Sequence, residues 1–259
     1  ADDRIRDKNR RNTFTDDMKK IIKEKILLDW SPEQINGYCR QNDIPMVSVE
    51  TIYQFIYSDA KNGGTLYTRL RTQVKSRRKR LSKYKKRGII KNRVSIHERP
   101  DIVNERGRFG DWEIDLIEGE NHKSFALTMV ERKSSFCLIQ KLKDKKAKTV
   151  EKAVVNMLAP YKKYVHTITS DNGREFMNHE AISAKLHTKF FFADPYSSWQ
   201  RGLNEYTNKL IRQYIPKKSN IKDFDFQYIA EVTKRLNTRP RKKLGYKSPI
   251  SLFIPIFDG

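Results

Sequence analysis

The sequence has 259 residues, of which 37% are hydrophobic and 33% charged, so it can bury a core and is not typical of a disordered chain. Lys and Arg number 54 against 31 Asp and Glu, and the formal net charge of +23 indicates a polyanionic partner. Nucleic acid is the first candidate and an anionic membrane surface the second. No run of about 18 apolar residues is present, which argues against a membrane-spanning segment.

The N-terminal residues and the two cysteines indicate the cellular compartment of the protein. The charged residues Ala1–Arg4 are not typical of a signal peptide, and a start at Ala rather than Met suggests a fragment of a longer protein. Cys39 and Cys137 have no neighbouring Cys or His at zinc-ligand spacing. A disulfide scaffold is not expected in a chain this long, and a reducing intracellular setting fits.

Residues 1–67 predict an all-α domain of three short helices. Thr15 can cap the first, and Ser31 begins the second, with Pro32 at the first helical position and Gln34 three residues after the cap. Ser48 caps the third after a turn at residues 42–45. This order is typical of a helix-turn-helix, and a three-helix bundle without a DNA role remains the alternative.

The third helix of such a motif enters the major groove, led by its N-terminal residues. We therefore expect base contacts from residues 47–51 and from one further turn of the helix. The candidate side chains are Ser48, Glu50, Thr51 and Gln54.

The charge composition of residues 68–98 predicts a basic linker. The stretch from Arg69 to Arg93 holds 13 cations in 25 residues and no acid. Self-repulsion would keep it extended or loosely helical, and it divides the chain into two parts. A linker that also neutralises DNA phosphates is favoured over a merely solvated one. Its densest run of cations is Arg77, Arg78, Lys79 and Arg80.

Residues 99–259 alternate strands and helices. Three strands, a helix and two further strands flanked by helices are the order of an α/β ribonuclease-H-like core, a mixed sheet flanked by helices. The predicted strands are 110–117, 124–131, 135–142, 165–169 and 189–192, and the predicted helices are 148–161, 178–186, 198–214 and 226–237. A second basic cluster at residues 239–243 is a candidate for gripping phosphates.

Three acidic residues stand at positions suited to metal chemistry. Asp115 lies on an apolar strand and shares its face with Asp111 and Glu113. Asp171 directly follows a short buried strand, and Glu205 lies inside the helix that begins near Ser198. Carboxylates are the ligands that magnesium prefers, although for any single acid a solvated surface position is the more common explanation.

The residues around the three acids form motifs that are far more specific evidence than the acids alone. The motifs are Trp112-Glu113-x-Asp115-Leu116, Thr169-Ser170-Asp171-Asn172-Gly173-x-Glu175-Phe176 and Phe192-Ala193-Asp194-Pro195-Tyr196-Ser197-x-Trp199-Gln200-Arg201-Gly202-x-Asn204-Glu205. They resemble bacterial transposases of the insertion-sequence-thirty family, which share the core of retroviral integrases. The helix-turn-helix and a C-terminal signature around residues 237–249 also match, so the resemblance runs from about Trp30 to Phe253.

The resemblance implies that Asp115, Asp171 and Glu205 are both the catalytic residues and the metal ligands. The 33 residues between Asp171 and Glu205 are the separation typical of the family. Two Mg²⁺ ions are the implied cofactors, and Mn²⁺ can substitute. Asp111 and Glu113 could lend a further oxygen.

Cations and aromatic residues near Glu205 are candidates for DNA contact. Related integrases hold a Lys or Arg seven residues after the glutamate, the position of Arg212, which lies two helical turns on. Lys209 is the alternative, and it could instead pair with Glu205. For Trp199 and Tyr196, packing is favoured over stacking on a splayed base.

The resemblance therefore implies a transposase that binds terminal inverted repeats, cleaves a 3′ end and transfers it to target DNA. Its expected partners are double-stranded DNA and further copies of itself, as a dimer or larger assembly, with no membrane partner. The bacterial cytoplasm, in association with the nucleoid, is the expected location. The family carries a further DNA-binding segment upstream of the matched region. A nuclease of the same fold and a non-enzymatic DNA-binding regulator are the rivals.

Overall fold

The computed structural model describes residues 14–71, 90–195 and 197–256. The chain forms two compact units, one of Ala1–Lys79 with Arg239–Ser248 and the other of Arg80–Thr238 with Pro249–Gly259. The sequence placed residues 239–248 with the α/β core, whereas the structure groups them with the helical unit. Within the described ranges, no helix has the length and apolarity needed to cross a membrane.

The helical unit contains the three predicted helices. They are α1 (Asp16–Leu27), α2 (Pro32–Gln41) and α3 (Val49–Lys61). The predicted start of α2 is a capping box, in which Ser31 Oγ accepts from the Gln34 amide at 3.3 Å and Gln34 Oε1 accepts from the Ser31 amide at 2.9 Å. Thr15 and Ser48 cap α1 and α3 through their hydroxyl oxygens, which accept from the amides of Met18 and Thr51. Local capping thus sets where each helix begins.

The three helices enclose one apolar core. The turn before α3 is held by the Ile44 amide, which donates to Cys39 O at 2.8 Å, and by Asn36 Nδ2, which donates to Val47 O at 2.9 Å. The buried residues are Met18, Ile22, Ile26, Trp30, Ile35, Cys39, Val47, Ile52 and Ile56. The packing of the helical unit therefore rests on side chains from all three helices.

Residues 239–248 pack against α2. Gln34 Nε2 donates to Pro240 O at 2.6 Å, and Lys242 forms an ion pair with Glu33 at 2.7 Å. Gly37 of α2 lies so close to the Tyr246 ring that a β-carbon at this position would collide with it. The C-terminal signature is therefore a structural component of the helical unit.

We expect Gly37→Ala to destabilise the helical unit by about 1–3 kcal/mol, because the new methyl group overpacks against Tyr246. Hydrogen exchange of the α2 amides measures the loss. In a Tyr246→Ala background the ring is absent, and the same substitution should instead stabilise by up to about 1 kcal/mol through helix propensity. If Gly37→Ala destabilised the unit equally in both backgrounds, the contact between residue 37 and the Tyr246 ring would be contradicted.

The second unit is built on a five-stranded mixed sheet. The strands are β1 (Asp111–Glu118), β2 (Phe125–Glu131), β3 (Cys137–Leu142), β4 (Thr167–Ser170) and β5 (Lys189–Phe192), in the order β3-β2-β1-β4-β5. β1–β2 and β2–β3 are antiparallel, whereas β1–β4 and β4–β5 are parallel. The predicted ribonuclease-H-like arrangement is confirmed, and β1 is the central strand.

Helices cover both faces of the sheet. The helices of this unit are α4 (Asp101–Asn104), α5 (Ala147–Leu158), α6 (His179–Leu186), α7 (Gly202–Ile211), α8 (Phe226–Thr238) and α9 (Pro249–Phe253). Trp112 and Ile114 of β1 join a core with α5 and α6, while Ile117, on the opposite face, joins a core with α7 and α8. Because side chains alternate along a strand, Asp111, Glu113 and Asp115 lie on the α7 face.

Candidate active site

Asp115 lies towards the C-terminal end of β1, and its side chain is only 22% exposed. Its Oδ1 accepts from the Leu116 amide and its Oδ2 accepts from Asn208 Nδ2, both at 3.0 Å. Burial raises the pKa of Asp115 to about 6; the Arg201 guanidinium opposes this rise and the Asp171 carboxylate adds to it. A carboxylate this poorly hydrated is stabilised by a nearby cation.

Asp171 directly follows β4, and its side chain is 26% exposed. β4 runs parallel to β1, so the two strands end at the same edge of the sheet. Asp171 Oδ1 accepts from the Gly173 amide at 3.0 Å, which fixes the carboxylate within the turn. The fold thus brings together two acids that are 56 positions apart in the sequence.

Arg201 contacts both of these carboxylates. Its Nη1 lies 3.5 Å from Asp115 Oδ1, and its Nη2 lies 3.8 Å from Asp171 Oδ2. Nη1 also donates to Ile114 O at 3.3 Å, and the side chain is 7% exposed. Arg201 belongs to the quoted motif, but sequence reasoning gave it no role.

Glu205 lies in the first turn of α7 and is partly exposed. Across the described parts of the chain, no three His, Cys, Asp or Glu side chains come close enough together to hold a metal ion. The structure therefore brings Asp115 and Asp171 together but does not gather Glu205 with them. Two converging, largely buried carboxylates are nevertheless hard oxygen donors that fit a divalent cation such as Mg²⁺.

Two asparagines fix α7 against the sheet. The Asn204 amide donates to Glu113 Oε2 and its Nδ2 donates to Glu113 O, both at 2.9 Å. Thr128 Oγ1 donates to Asn208 Oδ1 at 2.9 Å, which turns the Asn208 amide group towards Asp115. Sequence reasoning missed this role, although the four-residue spacing places both asparagines on one face of the helix.

We expect Asn208→Ala to lower the DNA cleavage rate by about 10–100-fold, the usual effect of removing a residue that orients a ligand. The cause is the lost hydrogen bond to Asp115. Single-turnover cleavage measures the rate, and Gln227→Ala, which changes an exposed residue of α8, serves as the comparison. A rate within twofold of the parent would contradict a positioning role.

Asp111 and Glu113, the other acids on this face of β1, are committed to buried partners. Asp111 accepts from Thr167 Oγ1 at 2.7 Å and pairs with Arg108 at 3.1 Å. Glu113 pairs with Arg132 and accepts from the Asn204 amide. These contacts explain why two carboxylates can be buried here and give them a structural role rather than a place beside Asp115.

Glu175 is a further acid close to Asp171. Burial raises its pKa, and the Asp171 charge raises it further, while Lys145 acts in the opposite direction. The residue stands in the motif that follows β4, yet sequence reasoning gave it no role. A third carboxyl group thus lies near the two aspartates.

Similarity to known proteins identifies the family. Residues 106–198 match the model of the integrase core domain, a range that includes Asp115 and Asp171 and stops before Glu205. The chain is 47% identical over 258 residues to the transposase for insertion sequence element IS4351 of Bacteroides fragilis, covering 100% of this chain and 79% of that protein. The chain belongs to the IS30 family of transposases.

Two further relatives and one solved structure are similar to this transposase. It is 36% identical to the transposase for IS1086 of Cupriavidus metallidurans, over 91% of this chain and 72% of that protein. Transposase InsI for IS30A of Escherichia coli (strain K12) is 34% identical, over 90% of this chain and 63% of that protein. The catalytic core domain of BIV integrase has a TM-score of 0.46 and 20% identity, over 57% of this chain and 96% of that one.

The family identifies the chemistry of the site. The chain is a DNA transposase, an enzyme of the polynucleotidyl transferase type that cleaves DNA and transfers strands. DNA is its partner, which accounts for the net charge of +23. An integrase core depends on divalent metal ions, and the Asp115–Asp171 pair has the donor chemistry for them.

The predicted DNA contacts of the transposase around Glu205 differ in their surroundings. Lys209 is exposed on α7. The half-buried Arg212 donates to Glu118 O at 2.8 Å and to Ile215 O at 3.4 Å, and burial lowers its pKa. The guanidinium of Arg212 therefore joins the ends of α7 and β1, whereas the Lys209 side chain is exposed to solvent.

Trp199 of the transposase does not pack. Its side chain is 74% exposed in the turn before α7, so the packing prediction for it is wrong. The neighbouring Arg201 and Leu203 take the buried positions of this segment instead. Tyr196 and the cations Arg77, Arg78, Lys79 and Arg80 lie outside the described residues.

The residues of the transposase predicted to contact bases, in and next to α3, differ in their exposure. Glu50 and Gln54 are exposed, and Thr51 is partly exposed. Ser48 is exposed, but its hydroxyl caps the helix through Thr51. Val47 is buried in the helical core, so the expected contact from this position is ruled out.

Proposed function

We propose that this transposase cleaves DNA at the ends of an insertion sequence and joins the freed 3′-hydroxyls to target DNA at one site. The observation that carries the proposal is the convergence of Asp115 and Asp171 at one edge of the sheet. Both steps displace an oxygen at phosphorus, so the same two carboxylates serve cleavage and joining.

Asp115, Asp171 and Glu205 would hold two Mg²⁺ ions, for which Mn²⁺ can substitute. When bound, such ions activate the attacking oxygen and stabilise the leaving one. Glu205 is three residues before Asn208, which already bonds to Asp115, so both side chains lie on the same face of α7.

The remaining residues of the site position the reacting groups. Asn208 orients the Asp115 carboxylate, and the Gly173 amide orients that of Asp171. Thr128 fixes Asn208 in turn. Holding these oxygens before DNA arrives avoids the cost of ordering them during the reaction.

DNA recognition is divided between the two units. The exposed α3 residues Glu50 and Gln54, with Thr51 beside them, would read the terminal inverted repeats, while Ser48 positions the start of the helix. Lys209 and the basic run at residues 77–80 would neutralise phosphates, and Arg212 remains a predicted contact. Trp199, exposed four residues after Pro195, could stack on a splayed base.

Two DNA ends must meet before both can be joined to one target. We therefore infer that the transposase acts as a dimer or larger assembly on DNA, at the nucleoid in the bacterial cytoplasm. The number of subunits can be measured by light scattering of the complex with a terminal-repeat duplex.

A strand-transfer assay with precut ends tests the proposal against a nuclease that only hydrolyses. Duplexes that carry a recessed 3′-hydroxyl at the terminal repeat are incubated with a plasmid target and Mg²⁺. We expect joined products, and their loss when the 3′-hydroxyl is replaced by hydrogen. Cleavage of uncut ends without any joined product would contradict the proposal.

A further inference from the structure

Arg201 is one of the most buried cations of the catalytic unit, at 5% exposure, and its guanidinium lies between Asp115 and Asp171. We propose that Arg201 is a built-in counter-cation, which holds the two aspartates together before metal ions bind and competes with the metal for them. This inference rests on the proposed function, because it takes Asp115 and Asp171 to be metal ligands.

The charges explain why a cation belongs here. Two carboxylates that converge in a largely buried site repel one another, and one positive group between them offsets part of the cost. The contacts are nevertheless loose, since 3.5 and 3.8 Å exceed normal hydrogen-bond lengths. Arg201 Nε is also buried without a hydrogen-bond partner. The guanidinium thus neutralises the pair without being locked to it.

The same position sets up competition with metal. A divalent ion would be held by the carboxylates of Asp115 and Asp171. Arg201 approaches the same two carboxylates, so an ion there would face a positive guanidinium a few ångströms away. Repulsion between the two cations would weaken metal binding until Arg201 moves aside.

Displacement of Arg201 would also move Glu205. Arg201 ends the turn Ser198–Arg201, and Glu205 follows four residues later in the first turn of α7. A shift of the turn that withdraws Arg201 would therefore also displace the start of α7, where Glu205 lies.

The test is Mn²⁺ binding to the transposase without DNA, measured by electron paramagnetic resonance of the free ion. We expect Arg201→Gln and Arg201→Ala to bind Mn²⁺ about tenfold more tightly than the parent, because the competing charge is gone. In EDTA the same variants should have a lower melting temperature than the parent. On adding Mn²⁺ their melting temperature should rise more than that of the parent. Arg201→Lys, which keeps the charge, should bind as the parent does.

The matched control is Arg174→Ala, which removes an exposed cation three residues after Asp171. It should change the Mn²⁺ affinity by less than about twofold, since exposed charges are screened. Unchanged or weaker binding by both Arg201 variants, with circular dichroism showing a folded chain, would overturn the inference. If the neutral variants do not fold, Arg201→Lys decides: parent-like affinity supports a counter-cation, and tighter binding contradicts it.

The two proposals can fail separately. Asp115→Asn and Asp171→Asn should each weaken Mn²⁺ binding at least tenfold. If they do not, the assignment of the metal ligands fails. If they do, and Arg201→Gln binds as the parent does, only the role of Arg201 fails.

Discussion

Asp171→Asn is expected to lower the rates of DNA cleavage and strand transfer by about 10²–10³-fold, the effect of several kcal/mol of lost transition-state stabilisation. Asn keeps the shape of the side chain and can still accept from the Gly173 amide. It removes the charge that a divalent ion requires. Single-turnover cleavage and joining of a labelled terminal-repeat duplex measure both rates.

Binding of the duplex should be unchanged, because the predicted reading residues lie in the helical unit. Asp101→Asn makes the same substitution at an exposed residue of the catalytic unit and should leave the rates unaltered. Equal rates for Asp171→Asn and the parent would remove Asp171 from the reaction. A loss of cleavage with joining intact would contradict a single site for both steps.

Arg132→Ala is expected to destabilise the catalytic unit by about 3–5 kcal/mol, because it leaves the Glu113 charge buried without its partner. Both side chains are at most 7% exposed, and Arg132 Nε also donates to Val103 O at 2.9 Å. The two units need not unfold together, so native-state hydrogen exchange of the β1 amides is the suitable measurement.

Arg235→Ala is the matched control, since it breaks a surface pair with Glu231 one turn away on α8. Its cost should stay within about 0.5 kcal/mol. Similar costs for the two variants would show that the buried pair contributes no more than a surface one. Glu113→Gln should also destabilise the catalytic unit, because it leaves the Arg132 charge buried without its partner.

Local signals in the sequence predicted the helices well. The cap residues Thr15, Ser31 and Ser48 act over three residues of chain, so their effect can be read without knowing the fold. The strands were found from apolar runs, with ends that differ by one or two residues. The short helix Asp101–Asn104 was missed because it has no side-chain cap and no apolar stripe.

Contacts between distant residues could not be predicted in the same way. The place of Arg201 depends on where β1 and β4 end, and the partner of Glu113 is 19 positions away on the turn after β2. Residues 239–248 were assigned to the core because they follow α8, whereas the tight approach of Gly37 and Tyr246 leaves no local signal. Trp199 was expected to be buried because large aromatic residues usually are.

The central claim is that Asp115, Asp171 and Glu205 together bind the divalent ions of the reaction. Anomalous scattering from crystals of the transposase grown with Mn²⁺ and a terminal-repeat duplex tests it most directly. We predict two peaks about 3.5–4 Å apart, each about 2.1 Å from carboxylate oxygens of these residues, with Glu205 drawn to the pair. Ordered Mn²⁺ bound elsewhere, with none on Asp115 and Asp171, would contradict it.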